Sequence, residues 1–145
     1  MQLSKRSSYG LRAMICLADY YHHGYLQTRE VASREELPTK FLESILATLT
    51  RGKFLESRIG AGGGYRLARP AKKILIADIL ADLEGRKLIG YEAEGAVEKT
   101  PGEVAVGLVQ DHLANALRTV LDTLTLADLT DQIKTGAGRK PMFYI

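Results

Sequence analysis

Leu37-Pro38-Thr39-Lys40-Phe41-Leu42-Glu43-Ser44-Ile45-Leu46, followed by Gly60-Ala61-Gly62-Gly63-Gly64-Tyr65-Arg66-Leu67-Ala68-Arg69-Pro70, sets a polar-faced helix ahead of a glycine-rich hairpin. Pro38-Thr39 suits the start of a helix, and Leu42, Ile45, Leu46 and Leu49 recur at the 3–4 spacing of one apolar stripe. Thr39, Lys40, Glu43, Ser44, Ala47 and Thr48 then share the opposite, polar face. Phe54 to Ile59 and Tyr65 to Arg69 read as two strands joined by the glycine loop, with Pro70 halting the second.

Upstream, residues 3–23 read as a helix, with Ser4 as N-cap, Leu11, Met14, Ile15 and Ala18 forming a stripe that Leu17 and Tyr21 widen, and Gly24 at the C-terminal stop. Thr28 opens a short second helix to about Arg34, with Val31 and Ala32 inward. Downstream, Ile76 to Leu83 is amphipathic and closes at Gly85. Residues 86–102 carry three glycines and Pro101 with weak periodicity, and read as a flexible connection. A long helix from Glu103 to about Leu124 repeats Val106, Val109, Leu113, Leu117, Val120 and Leu124. Thr125-Leu126-Ala127-Asp128 restarts a short terminal helix, and residues 136–145 read as a tail.

The 145 residues carry a formal charge of +3, which conceals an asymmetry. Residues 1–73 hold 13 Lys+Arg against 6 Asp+Glu, net +7, and residues 74–145 hold 7 against 11, net −4. A basic half joined to an acidic half suits contact with a polyanion through the first half alone. No apolar run approaches the ~18 residues of a membrane span, and the basic start lacks a clean apolar signal core, so the expected location is cytoplasmic. One cysteine, Cys16, excludes an internal disulfide framework or a Cys-rich zinc site.

Helix, helix, turn, helix and glycine-rich hairpin is the order of a winged helix-turn-helix, mainly α with a small β wing. The division expected is a DNA-binding domain over 1–85, a connection over 86–102 and a long helix with a short terminal helix over 103–135. In such a module the second helix of the turn motif enters the major groove and the wing lies along backbone or minor groove. Lys40 suits phosphate or a guanine edge, Glu43 a cytosine amino group, and Thr39, Ser44 and Thr48 are adaptable contacts. Lys5, Arg6 and Tyr9 at the first helix, Thr28 at the second, and Arg58, Gly60, Gly62, Gly63, Gly64 and Arg66 in the wing complete the expected DNA surface, with Arg58 and Arg66 flanking the wing tip.

Competing readings rest on less. Gly60-x-Gly62-x-Gly64 suggests a dinucleotide fingerprint, but that motif must run into a helix N-terminus, and here a strand and a proline follow. His22, His23 and His112 lack metal-ligand spacing, and no serine or cysteine sits in a nucleophile motif, so no enzymatic activity, metal or cofactor is expected. Individually, Lys40 and Glu43 also fit a solvated i,i+3 ion pair, and Cys16 a small buried helix residue. An interaction module that joins an enzyme assembly through the long helix is the alternative function. A small-molecule sensor using the acidic half or the loop 86–102 is compatible with the DNA-binding reading, and a small-molecule effector or partner protein is a further candidate partner.

The segments 37–46 and 62–70, with Ser8-Tyr9-Gly10-Leu11-Arg12-Ala13, Ile76-Ala77-Asp78-Ile79-Leu80 and Thr125-Leu126-Ala127-Asp128-Leu129, resemble the Rrf-type (IscR/CymR-like) bacterial winged helix-turn-helix transcription regulators over residues 1 to about 134. The resemblance implies a homodimer on a palindromic double-stranded DNA site, with the long helix as dimerisation helix crossing its partner through the stripe Val106, Val109, Leu113, Leu117, Val120 and Leu124. Cluster-binding members carry three cysteines in the segment matching 86–107, where this chain has none, so no iron–sulfur cluster of that kind is expected. Members usually carry arginine directly before the wing glycine. Here Ile59 takes that place and Arg58 precedes it, on the other face of an alternating strand. Glu36 stands where many have a turn glycine, and Gly52-Lys53 where they have a residue followed by glycine, so both turns are expected to be strained or shifted.

Overall fold

The computed structural model describes residues 2–85, 97 and 100–136. Its helices are α1 (Lys5–Asp19), α2 (Thr28–Glu35), α3 (Thr39–Arg51), α4 (Ile76–Glu84), α5 (Pro101–Leu121) and α6 (Leu126–Thr135). Strands β1 (Leu55–Arg58) and β2 (Gly64–Leu67) pair antiparallel between α3 and α4. The chain is thus mainly helical with one hairpin, as the sequence predicts. The segment read as a flexible connection lies largely, and the tail almost wholly, outside the described residues.

α1 is the hub. It packs on α2, α3, α4, α6 and β2, so it is buried on more than one side, and Ala13, Cys16, Met14 and Leu17 are all inside. That broad burial explains why the core face runs beyond the predicted stripe, leaving Leu11 and Ile15 only half-buried. The helix is shorter than expected: Ser4 caps it, its hydroxyl accepting from the Ser7 N–H at 3.1 Å. Its far end gives way at Tyr20 to a 3₁₀ turn over Tyr21–His23. On α3 the predicted stripe of Leu42, Ile45, Leu46 and Leu49 is buried throughout. Burying each such side chain is worth about 1.5–3 kcal/mol, which fixes the rotation of α3 and turns its polar face outward.

The two turns where glycine was missing keep the left-handed backbone that glycine favours. Glu36 has φ 53° and Lys53 φ 64°. After α3, the Lys53 N–H donates to the Thr50 carbonyl at 3.0 Å and the Phe54 N–H to the Leu49 carbonyl at 3.1 Å, the paired bonds of a Schellman cap. After α2, the Leu37 N–H donates to the Ala32 carbonyl at 2.9 Å, and Leu37 is buried. Gly52 in turn is required by space, because a Cβ there would lie 2.0 Å from the Asp82 carboxylate and 2.9 Å from the Phe54 ring. The turns are therefore strained but not shifted. Replacing either Glu36 or Lys53 by glycine should raise stability by about 0.5–1 kcal/mol, the left-handed cost less the glycine entropy. Urea denaturation of the two variants checks this; a loss of stability in both would contradict the strain.

β1 begins at Leu55, one residue later than expected, because Phe54 is spent in that cap. Leu55 pairs with Leu67 and both are buried. A single bridge adds Leu26 beside β2: its N–H donates to the Tyr65 carbonyl at 2.9 Å and its carbonyl accepts from the Tyr65 N–H at 2.7 Å.

α5 starts earlier than expected and ends at Leu121. Pro101 occupies its first turn, where a missing N–H costs nothing, and Thr100 caps it in a reciprocal box with Glu103. Leu124 therefore lies past the helix, packed on the core with its carbonyl accepting from the Ile76 N–H at 2.9 Å. α6 returns to the body: Thr125 bridges Leu75, and Leu126 is fully buried in the same core as α1–α4.

Candidate nucleic-acid interface

The buried stripe of α3 leaves Thr39, Lys40, Glu43 and Ser44 exposed on one side, with Thr48 half-buried among them. Among the described residues, neither Lys40 nor Glu43 makes an ion pair, so the solvated i,i+3 pair is not formed. Both ends of the hydrogen-bonding repertoire, a cation and a carboxylate, thus stand open on one helix face.

The N-terminus of α1 reaches this face. The Arg6 guanidinium donates to the Thr48 hydroxyl at 2.6 Å and to the Ser44 hydroxyl at 3.5 Å, and Arg51 donates to the Thr48 hydroxyl at 3.2 Å. Lys5 is exposed beside it, whereas Tyr9 is half-buried against the core. The first turn of α1 is itself held from α4. The Glu84 carboxylate accepts from the Ser4 N–H at 3.0 Å and from the Ser4 hydroxyl, and these bonds hold its pKa below the usual carboxylate value. Thr28 begins α2 and is half-buried. Its relation to the α3 face is through packing of α2 on α3.

The wing is narrow and well rooted. Gly60, Gly62 and Gly64 have φ values of 97°, 73° and 135°, a backbone that side-chain-bearing residues rarely adopt. The Gly63 N–H donates to the Gly60 carbonyl at 3.0 Å, and a Cβ on Gly63 would lie 2.2 Å from the Arg58 carbonyl. Pairing places Arg58 opposite Gly64 near the tip, but Arg66 opposite Glu56, two positions back. Arg66 is ion-paired with Glu56 and its guanidinium lies 4.6 Å from the Tyr25 ring centroid. The expectation that both arginines flank the tip is therefore corrected. Arg58 flanks it, and the cross-strand carboxylate and aromatic ring hold Arg66 at the hairpin's base.

Other exposed side chains escaped the sequence reading. Phe41 is 58% exposed at the edge of the α3 polar face, and its apolar ring suits a thymine methyl. The contact of Arg6 with α3 spans some forty residues of sequence and carries no local pattern. On α5, Val106, Val109, Leu113 and Val120 are each more than half exposed, Leu117 is half-buried, and Ala114 is the buried residue of the helix.

The family model described as "Rrf2: Iron-dependent Transcriptional regulator" matches residues 3–132. Protein rrf2 of Nitratidesulfovibrio vulgaris is 32% identical over 137 residues, covering 89% of this chain and 87% of that protein. The HTH-type transcriptional regulator CymR of Bacillus subtilis is 30% identical over 145 residues, all of both chains. Among solved structures, T. potens IscR superposes with a TM-score of 0.75 at 26% identity, covering 100% of this chain and 97% of its own. The B. subtilis CymR structure gives 0.72 at 29% identity, covering 90% and 97%.

The family description names iron, and this chain's residues do not fit an iron–sulfur cluster. Such clusters need several thiolates. Cys16, the single cysteine, is buried, and that burial pushes its thiol pKa up, away from the thiolate form. Among the described residues no group of three or more His, Cys, Asp or Glu is placed to hold a metal ion. Also among them, no helix is long and apolar enough to cross a membrane. With its helix-turn-helix, glycine wing and long penultimate helix matched along nearly their whole length, the chain belongs to the Rrf2 family of transcriptional regulators.

Proposed function

We propose that this protein is a sequence-specific double-stranded DNA-binding regulator, without enzymatic activity, that acts in the cytoplasm as a homodimer on a palindromic site. The observation that carries this is the open polar face of α3, with Lys40, Glu43 and Ser44 exposed, the basic N-terminus of α1 reaching that face through Arg6, and a glycine wing next in the chain. Lys5, Arg6, Lys40 and Arg58 supply phosphate contacts, Glu43 and Ser44 read base edges, and the family description and the name of the CymR relative, both as transcriptional regulators, support the reading. The apolar stripe Val106, Val109, Leu113 and Val120 supports the dimer, since a stripe of that kind is stable in water when a second surface covers it. Two recognition helices related by a two-fold axis then match a palindrome.

Binding of the dimer to fragments selected from the source genome tests this. With six to ten phosphates neutralised, affinity should fall by roughly 10³–10⁵ between about 50 and 200 mM salt, with two protomers per duplex. Salt-insensitive binding, or one protomer per site, would contradict it.

A further inference from the structure

Ile59 is 98% exposed, the most exposed of the large apolar side chains among the described residues. It sits where β1 ends and the glycine turn begins, four residues beyond Leu55 and two beyond Ser57. Strand alternation puts Leu55, Ser57 and Ile59 on one face and Glu56 and Arg58 on the other. Leu55 on that face is buried where β1 packs on α3. The core-facing side of the hairpin therefore ends, past the edge of the body, in a bare isoleucine, while the cation turns the other way.

The tip around it is shaped for close approach. Residues 60–64 carry no side chain larger than the Ala61 methyl, and at Gly60 and Gly62 nothing in the protein lies within 4 Å of a would-be Cβ. The tip is also stiff. The Gly60–Gly63 hydrogen bond closes the turn, and Gly64 is backed by the Leu26 carbonyl. An isoleucine on such a tip loses little freedom on docking.

We infer that Ile59 is the wing's minor-groove contact, an apolar tip that seats on A·T pairs while Arg58 beside it meets phosphate. This rests on the DNA-binding reading above. Isoleucine side chains are among those that enter minor grooves as apolar wedges. A guanine amino group in the groove floor would lose its water to Ile59 and gain no acceptor, so G·C pairs under the wing are disfavoured. The contact adds affinity without counterion release, so it is insensitive to salt.

Fluorescence anisotropy with a labelled duplex that the wild type binds tests this, the wing's position being located by hydroxyl-radical footprinting. Ile59→Ala should weaken binding about tenfold with an unchanged salt slope. Exchanging A·T for G·C under the wing should weaken the wild type but leave Ile59→Ala unaffected. Ile59→Arg should steepen the salt slope by about one. Wild-type binding with Ile59→Ala indistinguishable from it, or equally sensitive to the G·C exchange, would overturn the wing contact alone. A wild type that binds no duplex would overturn the DNA reading and this inference with it.

Discussion

Leu113→Glu should turn the dimer into a monomer and lower affinity for the palindromic site by more than about 100-fold. Leu113 is 58% exposed at the middle of the α5 stripe, with Val106, Val109 and Val120 on the same side. In one protomer the new carboxylate meets water, so the fold is retained. In a dimer it would be desolvated among apolar side chains without a partner, a penalty of several kcal/mol per ion, incurred in both copies. Loss of the second recognition helix then removes the effective concentration that bivalent binding supplies, worth about 10²–10⁴ in affinity. Sedimentation at several concentrations, with circular dichroism confirming helix content, reads the outcome. A variant that stays dimeric would place the interface elsewhere.

Gly64→Ala is expected to destabilise the protein by about 3 kcal/mol or more. Two separate costs add: φ is 135°, and a Cβ would lie 2.3 Å from the Leu26 carbonyl oxygen and 2.4 Å from its carbon. That neighbour is backbone, tied to Tyr65 by two hydrogen bonds of 2.7 and 2.9 Å, and cannot yield without breaking the bridge. Overpacking at a rigid site costs about 1–3 kcal/mol, and a left-handed backbone adds about 1–2 kcal/mol for a residue with a Cβ. Gly62→Ala is the control. Its φ is 73° but the space is open, so only the second cost applies. Urea midpoints for the pair separate them; equal losses would show that the steric contact with Leu26 carries no cost.

Elements whose signal is local were legible in the sequence. The α3 stripe, the Ser4 and Thr125 caps and the Gly85 stop each rest on residues within a turn or two of one another, and all are observed. The wing's existence was likewise plain from its glycines. What escaped was set by distance. The cap after α3 delayed β1, and register placed Arg66 against Glu56, away from the tip. Burial of α1 on several sides and the reach of Arg6 to Thr48 and Ser44 depend on packing between elements. At Glu36 and Lys53 the missing glycines signalled strain, but only the backbone shows that the turns keep their shape and bear it. Ile59 shows the same limit. In the sequence it stands out only as the residue in place of arginine before the wing glycine, and its exposure is seen only in the fold, just past the end of β1.

Base reading by α3 has its sharpest consequence at Glu43. The direct measurement is the affinity of wild type and of Glu43→Ala for one selected duplex and for every single base-pair change within it. If Glu43 accepts from a cytosine amino group, its removal should erase discrimination at one base pair in each half-site, by about 1–3 kcal/mol, and leave the other positions ranked as before. A uniform loss across all sequences, or no change at any position, would contradict the assignment of this face as the one that reads DNA.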